Sequence, residues 1–164
     1  MDTGTAAVEG EVSQLSIPLP KSLDTRIYIR LATQAKAILL SLTTASQDEL
    51  AAPKPMGSFV YALPDVRHCR DAVCRGPPCA NFPQRFNAQQ PLSTTLFSHE
   101  PTVEFTTRLA KLIARRAGLP VYVTNSISFA DAGMGGTVEE EMEALKSIVE
   151  VVLDRLREAG VVSK

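Results

Sequence analysis

Apolar residues recur along the chain first with a period of two and later with a period of three to four. In the first regime, Leu15, Ile17 and Leu19 alternate with Ser16 and Pro18. This predicts a strand, placed near a sheet edge because Pro18 and Pro20 cannot donate to a ladder. Arg26 to Leu31 predicts a second strand, with Ile27, Ile29 and Leu31 on one face and Tyr28 and Arg30 on the other. Ala35 to Thr44 predicts a third that is apolar on both faces: Ala37 and Leu39 on one, Ile38, Leu40 and Leu42 on the other. The short linkers between these segments suit antiparallel neighbours. After the polar loop Ser46 to Pro55, Ser58 to Leu63 predicts a fourth strand and Leu92 to Phe97 a fifth.

The helical regime begins near Ser98, a residue type suited to N-capping, and Pro101 is tolerated in a first turn. Phe105, Leu109, Leu112 and Ile113 share one helical face. Gly118 and Pro120 end that helix, and Val121-Tyr122-Val123-Thr124 predicts a sixth strand. A glycine-rich loop, Asp131 to Gly136, precedes Thr137-Val138-Glu139-Glu140, which has the capping-box pattern. A second helix follows to about Ala159, with Met142, Leu145, Val149, Val152 and Leu156 as its apolar stripe and Gly160 as its stop.

Grouped strands followed by helices predict an α+β domain: about six strands, mostly antiparallel, with two helices on one face. Two helices shelter one side of such a sheet. A third strand that is apolar on both sides then leaves an exposed patch, and patches of that kind mark protein interfaces. The expectation is a dimer, with a second subunit's sheet packed on the uncovered face. Tyr28, Ile38 and Leu40 are its candidate contact residues.

Composition narrows the function classes. With 164 residues the chain is long enough for one domain with a substantial core, taken as 1–164 with residues 1–10 a loose terminus. A net charge of −1 gives the whole molecule no attraction for nucleic acid or anionic lipid. Met1 to Gly4 lacks the basic start of a secretory signal, and no apolar run is long enough to span a bilayer. Cys69, Cys74 and Cys79 are an odd number of cysteines, which suits reduced thiols in cytoplasm or nucleus. All three fall in Pro64 to Pro91, a proline- and arginine-containing stretch without period that reads as a surface insertion.

Candidate chemistry is sparse. His68, Cys69, Cys74 and Cys79 are zinc-ligand types, which makes a small zinc-binding regulatory module the alternative reading. Their spacing lacks the C-x2-C knuckle, adjacent ligands such as His68 and Cys69 point apart, and free thiols in a flexible, variable loop are the preferred reading. Gly133-Met134-Gly135-Gly136 precedes a helix, but Glu139, Glu140 and Glu141 in the first turn would repel a phosphate. Ser98, His99 and Glu100 have triad residue types, yet contiguous residues rarely meet a triad's geometry. The acidic run at the last helix start is where carboxylates are favoured by the helix dipole. No catalytic residue, metal site or cofactor is assigned. Arg108, Lys111 and Arg115 form a cationic helix face, a solvated surface or a site for an acidic protein partner. Without interleaved aromatics it does not suit nucleic acid.

Several segments in one order resemble the proteasome assembly chaperone 4 family. They are Ser93-Thr94-Thr95-Leu96, Thr107-x-Leu109-Ala110, Ile113-Ala114-Arg115-Arg116, Val121-Tyr122-Val123-Thr124 and Glu140-Glu141-Met142-Glu143. The Pro64 to Pro91 insertion and the long last helix depart from the short animal-like pattern and resemble fungal-type members. The resemblance implies a non-catalytic chaperone without cofactor that pairs with proteasome assembly chaperone 3 through sheet-on-sheet packing. It further implies that the pair contacts the fifth α subunit while the 20S α-ring assembles.

Overall fold

The computed structural model describes residues 11–22, 24–34, 36–46, 48, 53–64, 91–130 and 135–161. The element order is β1 (Glu11–Pro18), β2 (Thr25–Gln34), β3 (Ala37–Ser46), β4 (Ser58–Leu63), β5 (Leu92–Phe97), α1 (Glu100–Ala117), β6 (Val121–Ser126) and α2 (Val138–Glu158). The strands form one six-stranded sheet in the order β1-β2-β3-β6-β4-β5. Every neighbouring pair is antiparallel except β3 and β6, which run parallel. The α+β reading and the two early hairpins are borne out. The parallel pair was not legible locally, because β6 reaches β3 only after β4, β5 and α1 have intervened. The proposed loose terminus, the zinc ligands and most of the insertion lie outside the described residues.

The cross-strand register sorts side chains into two faces. Ser13, Leu31, Leu40, Val123, Val60 and Thr95 lie in one row across all six strands. Leu15, Ile29, Leu42, Asn125 and Ser58 form the next row on the same face. Both helices pack on this face. Helix α1 buries Phe105, Leu109, Ala110, Ile113 and Ala114 over β4 and β6. Helix α2 buries Ala144, Leu145, Ile148, Val152, Leu153 and Leu156. These side chains and the sheet's Ile27, Ile29, Leu31, Ile38, Leu40 and Val123 make one continuous core. Each large aliphatic buried there is worth roughly 1.5–3 kcal/mol before conformational entropy is subtracted. Met142, expected in the α2 stripe, is 38 % exposed. Ile148, six residues further on, is fully buried instead.

Both helix ends follow local rules, with one substitution of parts. At α2, Thr137 Oγ1 accepts from the Glu140 amide (3.4 Å) and Glu140 Oε2 accepts from the amides of Thr137 (3.0 Å) and Gly136 (3.1 Å). The end of α2 closes by Gly160 and Val161 amides donating to the carbonyls of Arg157 and Leu156, with Gly160 left-handed at φ 70°. Gly118 likewise closes α1 at φ 65°. The expected cap of α1 is corrected. The N-cap is His99, which has no capping side chain. Ser58 on β4 supplies the hydroxyl instead, its Oγ accepting from the His99 amide and donating to the His99 carbonyl, both at 2.9 Å.

That exchange belongs to a buried polar seam joining α1 to the sheet. Thr102 Oγ1 accepts from the Ser58 amide at 3.0 Å, and Asn125 Nδ2 donates to Thr106 Oγ1 at 3.0 Å. Asn125 Oδ1 accepts from the Ile127 amide at 2.9 Å. Ser58, Thr106 and Asn125 are buried and hydrogen-bonded, so the seam orients α1 without leaving an orphaned polar group. At the other edge, Arg155 on α2 donates to Ser13 Oγ at 2.9 Å and pairs with Glu11 (3.0 Å) and Glu158 (2.7 Å). The guanidinium is held above its usual pKa, chiefly by the hydrogen bond to Glu158. Removing it with Arg155→Ala should leave the unfolding midpoint nearly unchanged, because the pairs face solvent. Hydrogen exchange should report the loss locally, as faster exchange of the β1 amides than of those in β3.

Candidate protein interface

The opposite face of the sheet carries the other half of every strand. Its register gives three central rows, flanked at one end by Pro18, Arg26 and Ala45. The first runs Val12, Ala32, Leu39, Tyr122, Tyr61, Thr94. The second runs Gln14, Arg30, Ser41, Thr124, Phe59, Phe97, and the third Ser16, Tyr28, Thr43, Ser126. No described helix lies on this face.

Its two halves differ. Towards β6, β4 and β5 it is aromatic and aliphatic. The Tyr61 and Tyr122 rings stack at 4.6 Å between centroids and 32° between planes, and Phe59 lies 6.3 Å from Tyr122. Leu39 is 39 % exposed and Phe97 is 48 % exposed beside them. The Tyr61 phenol is raised above its ordinary pKa by desolvation first, then by the neighbouring Tyr122 charge and hydrogen bond. Towards β1, β2 and β3 the face is a shallow groove lined with hydroxyls and two long cations, among them Tyr28, Arg30, Ser41, Thr43, Lys54 and Thr124. Thr43 Oγ1 is buried there without a hydrogen-bond partner among the described residues. Strand β3 is therefore less apolar on its second face than its composition suggested. Ala37, Leu39 and Ala45 share that side with Ser41 and Thr43.

The six residues singled out from sequence fall in three places and do not form one surface. Tyr28 is on the open face, half-buried between Ser16 and Thr43. Ile38 and Leu40 are corrected: both are fully buried beneath the helices. The reason is parity. Leu40 pairs with Leu31, so it shares the face of Ile27, Ile29 and Leu31 and is opposite to Tyr28. Leu39 and, across the sheet, Tyr61 and Tyr122 occupy the open positions that sequence reasoning missed. The alternation of β4 and β6 was present in the sequence; what it lacked was which parity the helices cover. Arg108, Lys111 and Arg115 lie on the outer side of α1, across the molecule from Tyr28. Arg108 is paired with Glu104, whereas Lys111 and Arg115 have no ion-pair partner among the described residues.

Among the described residues, no group of His, Cys, Asp and Glu is arranged to hold a metal ion. No described helix is long and apolar enough to cross a membrane.

Fold and open face together define a class: an α+β protein whose sheet is roofed by helices on one side and presented on the other. Within that class, the model of the proteasome assembly chaperone 4 family matches residues 78–127, a stretch that includes β5, α1 and the whole of β6. Among solved structures it is similar to a chain of a chaperone complex for yeast 20S proteasome assembly. The two are 14 % identical, with a TM-score of 0.55, over 92 % of this chain and 97 % of that one. No curated protein matches the chain by sequence.

Proposed function

We propose that this protein is a 20S proteasome assembly chaperone subunit that acts by binding and catalyses no reaction. Its open sheet face pairs with a subunit of similar fold, of the proteasome assembly chaperone 3 type. The pair then holds an α subunit, the fifth, with its neighbour-contacting surfaces free, and so favours correct order in the α-ring. The work is done in the cytoplasm, the nucleus or both. The observation that carries this reading is the one-sided helix layer. The row Leu39, Tyr122, Tyr61 is a contiguous apolar and aromatic strip with no described helix over it. The family match and the structural likeness support the chaperone class.

Pairing of two such faces would bury on the order of 1,600 Å² in total, the size of a standard stable interface. Aromatic residues near the centre would supply most of the affinity. Co-expression with a proteasome assembly chaperone 3 subunit should yield a 1:1 complex that retains the fifth α subunit through size exclusion. Tyr61→Arg should abolish the 1:1 complex while leaving the circular dichroism melt of the isolated chain nearly unchanged. A complex that forms undiminished with Tyr61→Arg would remove the open face from the reading.

A further inference from the structure

Resting on that pairing, the charges of the open face say what kind of sheet fits it. Among the described residues, the face's strand positions carry two charged side chains, Arg26 and Arg30, and no carboxylate. Arg26 is engaged at the sheet margin, donating to Ser16 Oγ at 3.2 Å. Arg30 stands midway along β2, between Gln14 and Ser41, with no ion pair or hydrogen bond among the described residues. Among the described residues, the groove around it is lined by one further cation, Lys54, and again by no acid.

We infer that Arg30 makes this interface heteromeric: the surface it fits is a different chain whose facing sheet presents a carboxylate to the guanidinium. The position of a symmetry axis makes no difference. In any packing of the open face on its own copy, each Arg30 is carried out of water onto strand positions that offer hydroxyls, aromatics and another arginine, but no anion. An uncompensated buried charge is strongly unfavourable, whereas a carboxylate across the interface restores a bidentate pair. Self-pairing is thus penalised and the mixed pair favoured by one residue, a repulsive element and an attractive one together.

The test uses the full chain. Arg30 is exposed, so its substitution should leave the thermal melt in place. In sedimentation, wild type should remain monomeric at concentrations where Arg30→Leu dimerises, with self-association strengthened about tenfold or more. Against the co-expressed partner, Arg30→Glu should weaken the complex about 30-fold or more. Reversal of one carboxylate on the partner's facing sheet should restore it. If Arg30→Leu associates no better than wild type and Arg30→Glu keeps its partner, the inference is overturned. Tyr61→Arg then tells the two readings apart. Loss of the partner with Tyr61→Arg alone leaves the interface standing without this charge rule, and retention with both variants removes the interface as well.

Discussion

Gly57→Ala should lower the unfolding midpoint of the isolated chain by roughly 5–12 °C. Gly57 precedes β4, and its amide donates to Ser126 Oγ at 3.0 Å. A methyl group added at its Cα would stand 2.0 Å from the carbonyl oxygen of Asn125 and 3.2 Å from Thr102 Oγ1. The first of those atoms is backbone of a central strand, held by pairing of Asn125 with Leu42 and Ser58. It cannot swing aside as a side chain would. Relief therefore requires the start of β4 to lift from β6, which stretches the seam of Ser58, Thr102 and Asn125. Overpacking against backbone together with a strained buried hydrogen bond costs about 2–4 kcal/mol. A differential scanning calorimetry midpoint within 2 °C of wild type would contradict this account of the seam, a shift smaller than about 1 kcal/mol produces in a chain of this size.

Gly57 also shows where sequence reading stops. A glycine between Met56 and Ser58 looks like ordinary turn punctuation, and nothing local announces that a strand nearly seventy positions later leaves no room for a Cβ. Elements ruled by neighbouring residues were legible. The bounds of β4 and β5 coincide with their alternating runs, and Thr137 with Glu140 closes the capping box that its spacing announced. Features ruled by distant residues were not. Ser98 had the right chemistry and position for a cap, but Ser58 from another strand satisfies the amide of His99, leaving Ser98 outside. Met142 had the right spacing for the α2 stripe, yet the helix buries Ala144, Leu145 and Ile148, leaving Met142 exposed.

The same division governs the candidate site. Period two along β3 shows two sets of side chains but carries no label for inside and outside when both sets contain leucine. The label comes from β2, whose Ile27, Ile29 and Leu31 leave no doubt about their face, transmitted through the pairs Ile29–Leu42 and Leu31–Leu40. Had β3 been read through its partner rather than alone, Leu39 would have been selected and Leu40 left in the core. The cationic face of α1 was legible as a surface for the opposite reason. Helical spacing labels inside and outside by itself, and Leu109 and Ile113 mark the inner side.

Leu39 and Leu40 therefore make a paired experiment in which adjacent residues of one type should behave oppositely. Leu40 is fully buried, in a row with Leu31 and Val123 and beneath the helices. Truncating it removes apolar contacts on all sides and leaves a cavity, so Leu40→Ala should destabilise the isolated chain by about 2–5 kcal/mol in urea denaturation. Leu39 is 39 % exposed on the other face, beside Tyr122 and Ala32. Leu39→Ala should change the isolated chain's stability by about 0.5 kcal/mol or less. In the presence of saturating partner subunit the order reverses in kind. Leu39 is then in the centre of the buried strip, and its truncation should weaken the complex by about 1–2 kcal/mol in affinity. Leu40→Ala should bind the partner with nearly wild-type affinity wherever it is still folded, because its side chain does not reach the open face. Equal effects of the two substitutions on stability would mean that Leu39 is as well covered as Leu40 in the isolated chain, and the open face would then have no vacancy for a second subunit.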